Sequence, residues 1–303
     1  MSVINSTSFN SDLIPGLVKK WFDASMKVYD PIFSKMMIVE KSDRAFDVDA
    51  TYTGMGSLIR KTQSGALSMD TASQAFTPRY LHVTYALGFA ITKEALRDGN
   101  AFADAKKFTA MLARGANVTK EIIAANILNF AGTSGYTMDG GDGVILASAS
   151  HPTRAGNQSN ILSGGTDLSE AALEAMQVQI ENAKDNRGLR IKLAMNKLVI
   201  NPSLRADAHR ILQSDLRVAV ADNDANFLKD NSIVPGGVVI NPYLTSTTQW
   251  QVTTDCPDGL KFKVRQEAEM DQDNDFNTKN GLHSVDMRVS AGWSDHRGVY
   301  ISL

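Results

Sequence analysis

The stretch "SLIRKTQSGALSMDTASQAFTPR" (residues 57–79) lies between two segments that read as β-strands, yet it holds little that a protein core would use. On its near side Phe46, Val48, Ala50 and Tyr52 alternate with Asp47, Asp49, Thr51 and Thr53. On its far side Leu81, Val83, Tyr85, Leu87, Phe89 and Ile91 alternate with His82, Thr84, Ala86, Gly88 and Ala90, the two-residue period of a strand with one apolar face. Hairpin loops ordinarily close in about two to five residues, so an excursion this long is expected to serve a function.

Composition narrows what that function can be. At 303 residues the chain exceeds the size at which one core keeps growing, and 43% hydrophobic residues suffice to bury a sizeable one. The balance of 31 basic and 33 acidic side chains leaves a net charge of −2, without the overall basic footprint of a nucleic-acid or anionic-membrane binder. Cys256 is the single cysteine, so no intrachain disulfide forms, and no Cys/His spacing suits zinc. The first residues lack the basic and apolar regions of a signal peptide, and no run approaches the roughly 20 apolar residues of a membrane span. Synthesis in the cytoplasm and no membrane partner are expected.

Outward from the hairpin, residues 1–45 read as an arm, mostly extended, with one short amphipathic helix marked by Leu13, Leu17, Trp21 and Phe22, and with Pro15 and Pro31 as breakers in the segment. Thr92 can cap a short helix over residues 93–97. The longest periodic segment follows, with Phe108, Leu112, Ala116, Ile123, Ile127 and Phe130 in one stripe and Lys106, Lys107, Arg114, Lys120 and Glu121 largely away from it. A helix of that length suits a strut, and Gly115 inside it suggests close packing or a bend. Residues 132–165 are rich in glycine, serine, threonine and asparagine, with an apolar island at 144–146.

Next comes a helix, strand, helix unit of an α/β layer. Ser169 is the N-cap, Leu168 and Leu173 have staple spacing, and Gly188 is the expected C′ residue. The strand over 197–200 leads to Asn201 as cap and Pro202 as first helical residue, with Leu204, Ala208, Ile211 and Leu212 inward. The remainder reads as strands over 238–240, 249–253, 260–265, 282–290 and 299–303, with "PDG" at 257–259 as a hairpin turn and residues 267–281 as the tip of a second projection.

No catalytic constellation emerges. His82, His151, His209, His283 and His296 form no metal-binding spacing and are expected at the polar surface. "DQDNDFNTKNGL" from Asp271 has alternate aspartates like a calcium loop, but Phe276 and Leu282 occupy the positions that need glycine and glutamate, so a solvated acidic turn is expected. "DGGDGV" from Asp139 lacks the lysine and helix start of a phosphate cradle, and Cys256 reads as an incidental thiol. Neither cofactor nor metal is expected. Two long projections and an arm are costly to order in isolation, and neighbouring copies would supply the missing surface.

The segments "ASHPTRAGNQSN" (149–160), "NRGLRIKLAMNKLVINPSLRADAHRIL" (186–212) and "DQDNDFNTKNGLHSVDMRVSAGWSD" (271–295), in this order of elements, resemble the major capsid proteins of tailed bacteriophages with the HK97 fold, particularly the Mu-type major head subunits. The resemblance implies an α+β fold with an N-terminal arm (1–45), an E-loop and its strands (46–91), a P-domain with spine helix and P-loop hairpin (92–164 and 256–290) and an A-domain (165–255 and 291–303). It also implies pentamers and hexamers enclosing double-stranded DNA without sequence-specific binding, a virion location after assembly in the bacterial cytoplasm, and portal and separate scaffold proteins as partners. Some relatives crosslink through a loop lysine; Lys61 lies in that loop, but no partner or catalytic glutamate is marked. An encapsulin-like shell around protein cargo and a cytoplasmic α/β enzyme with a lid hairpin stand as alternatives. The expected intersubunit residues are Arg60, Lys61, Gln63, Ser64, Met69 and Asp70 on the first projection and Glu267, Glu269, Asp271, Asp273 and Asp275 on the second, with opposite charges meeting between copies.

Overall fold

Two four-stranded sheets carry the described residues of this computed structural model, which are 18–92, 101–214, 226–275 and 280–303. The expected helix over 93–97 lies outside them. The arm is more structured than its polar start suggests: it supplies α1 (residues 18–27), α2 (Phe33–Met36) and β1 (Ile38–Lys41). Val18 and Phe22 of α1 pack with Leu112, Ala116, Met270 and Val285, and Phe33 lies against Phe262 in a tilted pair with ring centroids 4.5 Å apart.

β2 (Phe46–Val48) pairs antiparallel with β3 (Arg79–Leu81), and the chain continues as β4 (Val83–Ile91). The alternation is as expected, but the stem presents its faces the other way round. Tyr80 and His82 are buried, whereas Phe46, Val48, Leu81, Val83 and Leu87 are exposed, because no second layer among the described residues covers that side of the ribbon. α3 (Ala101–Asn129) is roughly 44 Å long at about 1.5 Å per residue. Leu112, Ala116 and Ile127 of its stripe are buried, while Phe108 and Phe130 stay open. Lys120 and Glu121, expected to face solvent, are buried as well: the start of α2 docks on Glu121, and Lys120 lies under the second projection.

The glycine-rich stretch folds around a hairpin of β5 (His151–Thr153) and β6 (Gly156–Gln158). Its "DGG" turn braces the stem, since Thr77 and Arg79 donate N–H bonds to Gly140 O and Asp139 O at 2.9 and 2.7 Å. Gly140 has φ +69°, and a Cβ there would lie 2.3 Å from Thr77 O, so only glycine fits. In α4 (Glu170–Glu181) the Ser169 hydroxyl accepts the Ala172 N–H at 3.2 Å, as its capping role requires. The helix stops at Asn182, earlier than expected, and Gly188 instead closes a separate turn in which Asp185 Oδ1 accepts from Arg187 and Leu189.

β7 (Met195–Ile200) runs into Asn201, which accepts the Ser203 N–H at 3.0 Å above a 3₁₀ turn (Pro202–Leu204) that opens α5 (Arg205–Gln213). β8 (Val238–Ile240) lies parallel and β9 (Trp250–Thr254) antiparallel to β7. Residues 257–259 do not close a hairpin: they carry the chain from β9 to β10 (Leu260–Asn274), which belongs to the other sheet. β10 pairs with β11 (Gly281–Trp293) well beyond the expected strand ends. Register shifts near Gln266 absorb the irregularity, and Met270, buried opposite Val285, continues the inward face into what had read as the tip of the second projection.

The first sheet has the order β1-β10-β11-β4, with β1 parallel to β10. The second, completed by β12 (Val299–Ser302), has the order β12-β9-β7-β8 and is buried on both faces. Leu198, Ile200, Trp250, Val252 and Tyr300 pack with residues of α4 and α5. Val199, Val239, Val299 and Ile301 share a core with Leu128 of α3 and with Phe262 and Trp293 of the first sheet. The sheets are thereby coupled through packing, and the long hairpin leaves the body from the first of them.

Candidate assembly surfaces

The root of the hairpin is an ion cluster. Asp49 follows β2 directly, while Lys261 and Lys263, two apart on β10, point to one face and are both buried. Lys263 Nζ donates to Asp49 Oδ1 at 2.6 Å, and Lys261 Nζ and Ser294 Oγ donate to Oδ2, each at 2.9 Å. Glu40 of β1 stands 3.3 Å from Lys263 and 3.5 Å from Lys261, and Asp258 is 2.9 Å from Lys261. Lys263 also lies over the Tyr80 ring, 4.6 Å from its centroid, and the Tyr80 hydroxyl is 2.7 Å from Ser294 Oγ. Burial alone would push the Asp49 carboxyl up, but the bonds from Lys263, Lys261 and Ser294 hold it below its ordinary value.

Further out, Thr51 N–H bonds to Phe76 O and Tyr52 bridges Gln74. Asp70 Oδ2 accepts the Gly56 N–H at 2.8 Å and pairs with Arg187, which holds its carboxyl at about 2. Asp70 thus has partners in its own chain. Arg60, Lys61, Gln63, Ser64 and Met69 are exposed, Ser64 with φ 64° in a turn closed by Gly65 N–H to Thr62 O. Leu58, Ile59, Leu67 and Met69 are between 71% and 101% exposed. The sequence reading of this loop as polar named Met69 but missed Leu58, Ile59 and Leu67, because apolar residues scattered among Ser, Thr and Gly carry no period.

Below the stem, β4 is only partly covered by α3, leaving a groove of about 270 Å³ lined by Leu87, Leu112, Ala116, Val285 and Met287. On the second projection Glu267, Glu269, Asp271 and Asp273 are exposed, with Met270 taking the inward place between them. Asp275 is half-buried where the strands part, its N–H bonded to Asn280 O at 3.0 Å. Glu267 pairs with the buried Lys120 of the same chain rather than with Arg60 or Lys61.

The histidines depart from expectation: His209 is exposed, but His82, His151 and His283 are buried and His296 nearly so. Each has found a partner that sequence spacing does not display. His82 Nε2 lies 3.2 Å from Asp47 Oδ2 and its Nδ1 3.0 Å from Ser290 Oγ, and His283 stacks on Phe89. His151 Nδ1 is 2.6 Å from Asp142 Oδ2, its Nε2 is 3.2 Å from both Leu146 O and Asn160 Oδ1, and its ring is stacked on His296 at 4.0 Å and 4°. Burial pushes the His296 ring down to about 2, with the neighbouring His151 and Arg297 adding to the effect. Asp142, His151 and His296 offer ligand atoms within 4.8 Å of one another. Two parallel rings, however, aim their in-plane lone pairs side by side instead of at one point, so the trio suits a hydrogen-bonded joint better than an ion. Cys256 is half-buried, its thiol pushed up to about 11 by burial. No helix among the described residues is long and apolar enough to cross a membrane.

Residues 76–302, from the far side of the hairpin to the last strand, match the profile of a family described as phage capsid protein. The chain belongs to the phage capsid protein family. Membership makes it a structural component of a shell rather than an enzyme. The capsid protein is similar to the crystal structure of a virus-like particle from Pyrococcus furiosus, with 12% identity, 95% of this chain and 98% of that chain covered, and a TM-score of 0.54. It is also similar to the capsid of the native GTA particle (13% identity, 90% of each chain, TM-score 0.53) and to the procapsid of bacteriophage JBD30 (11% identity, 99% of this chain and 76% of that one, TM-score 0.52). At such identities the likeness is one of fold, and the fold is HK97-like. No curated protein matches the capsid protein in sequence.

Proposed function

We propose that this capsid protein is a major head subunit of the Mu-type kind, which forms pentamers and hexamers that close an icosahedral shell around double-stranded DNA. Assembly takes place in the bacterial cytoplasm with a portal and a separate scaffold protein. In this reading residues 1–45 are the arm, 46–91 the E-loop, 92–164 and 256–290 the P-domain, and 165–255 and 291–303 the A-domain. The observation that supports it is a double exposure on one chain: the apolar tip of the hairpin, and the groove between β4 and α3. Burying a Leu, Ile or Met side chain contributes about 1.5–3 kcal/mol, so a tip carrying Leu58, Ile59, Leu67 and Met69 has much to gain from a neighbouring copy. A wall of near-neutral net charge also lets packaged DNA move, since it neutralises few phosphates.

The test is the double variant Leu58→Ser, Ile59→Ser. It is expected to melt like the parent, because both side chains touch water in the subunit, and to form no closed shells in negative-stain images. Normal shells from this variant, or an unfolded subunit, would refute the role assigned to the tip.

A further inference from the structure

Two lysines of β10 and the serine that follows β11 converge on one carboxylate at the place where the hairpin leaves the body. We infer that Asp49 is a positioning residue that sets the departure angle of the hairpin, and that this angle fixes the curvature of the assembled shell. The second half rests on the assembly reading above; the first does not.

The geometry carries it in three steps. The stem is narrow: β2 and β3 share three residue pairs, and beyond them the legs bond to each other through Asp49 N–H to Pro78 O, Thr51 N–H to Phe76 O, Ala75 N–H to Thr51 O and Thr53 N–H to Ser73 O. Those bonds tie the two legs to each other; the body holds the far leg through Thr77 and Arg79 on Gly140 and Asp139 and the loop through Arg187 on Asp70, which leaves the near leg to be placed by its own contacts. Asp49, however, is held at both oxygens, Oδ1 by Lys263 and Oδ2 by Lys261 and Ser294. Binding at both oxygens fixes the plane of the carboxylate as well as its place. The other strand of the stem is tied to the same spot, through the Tyr80 hydroxyl on Ser294 and the Tyr80 ring beneath Lys263. Both legs of the hairpin are therefore pinned to β10 and the end of β11.

The donors have reason to stay. Lys261 and Lys263 are buried, and a buried ammonium without its carboxylate is strongly disfavoured. Their remaining acceptors, Glu40 and Asp258, are more exposed than Asp49 and sit on the body, so they neutralise charge without touching the hairpin. A change of roughly 10° at the root would carry a tip some ten residues away through about 6 Å, since an extended chain spans about 3.3 Å per residue. In the assembly reading, a displacement of that size would change where the tip meets a neighbouring copy.

The experiment uses two mild variants of the full chain, Asp49→Glu, which keeps the charge but lengthens the arm by one methylene, and Ser294→Ala, which removes a donor without stranding a lysine. Spin labels at Gln63→Cys and His209→Cys, in a Cys256→Ser background, report the distance from tip to body by pulsed electron resonance, and negative-stain images report shell diameter. The expected result for Ser294→Ala is a parent-like melting curve, a distance distribution broadened by about 6 Å, and shells of mixed diameter or open sheets, with Asp49→Glu shifting the mean distance. A distribution as narrow and as placed as the parent's in both variants would overturn the positioning role. Altered distances with shells of one parental diameter would overturn the link to curvature. Shell diameters are read on the unlabelled chains; if the unlabelled Cys256→Ser parent forms no shells, the assembly reading fails by itself, while the distance measurement still decides the role of Asp49.

Discussion

Glu121 shows how much one side chain can hold. It is fully buried in the middle of α3, and its two oxygens accept the N–H groups of Ile32 at 2.6 Å and Phe33 at 3.0 Å, donors that the short helix α2 cannot satisfy itself. Replacing it by Ala leaves both unpaired at a cost of about 1–3 kcal/mol for each group, so the melting temperature of Glu121→Ala should fall well below that of Glu181→Ala, an exposed control. Burial raises the Glu121 carboxyl above its ordinary value of 4.5 in spite of these bonds. The folded chain then takes up this proton more readily than the unfolded one, and acidification through the interval from the raised value down to 4.5 adds stability. Urea midpoints measured across that interval should show the gain in the parent and lose it in Glu121→Gln. Periodicity had set Glu121 correctly off the apolar stripe, yet a single helix cannot reveal that α2, some 90 positions upstream, closes over it. Buried His82 and His151 were hidden for the same reason: each is hydrogen-bonded by a residue from another strand or turn.

At the scale of the element, what was legible follows from local chemistry. The cap at Ser169, the Asn201-Pro202 start and the existence of α3 depend on neighbours a few residues apart, and all stand close to where the sequence puts them. The extent of β10 and the role of residues 257–259 depend on pairing partners far along the chain, and the acidic residues of the second projection concealed a strand that only Met270 and Val285 betray. The strut offers a direct comparison of two apolar positions. Leu112 lies against α1 and the first sheet, and Leu112→Ala should cost about 2–5 kcal/mol in chemical denaturation. Phe108, 46% exposed beside Phe89, should cost far less when truncated in the free subunit. Equal losses would mean that the helix presents a different face from the one described.

For the molecule as a whole, charge and topology each have a consequence. Arg60 and Lys61 on one projection, and Glu269, Asp271 and Asp273 on the other, form exposed clusters of opposite sign. Each exposed pair contributes only about 0–1 kcal/mol, but repetition over a shell multiplies it. Arg60→Glu with Lys61→Glu should raise the protein concentration needed for assembly, and adding Asp271→Lys with Asp273→Lys should partly restore it, as light scattering at low salt would record. No recovery, or no dependence on ionic strength, would dispose of the pairing. The strand order bears on how the molecule is made. Ile38 pairs with Lys261 and Ile91 with Gly281, so the outer strands of the first sheet leave the ribosome long before the inner hairpin that must slot between them. Pairings so distant in sequence make for late, slow closure. A nascent or truncated chain lacks the body on which the hairpin is mounted, and only complete copies qualify for recruitment into a growing shell. A chain ending at residue 259 should be digested throughout in pulse proteolysis; a protected core in it would contradict this order of events.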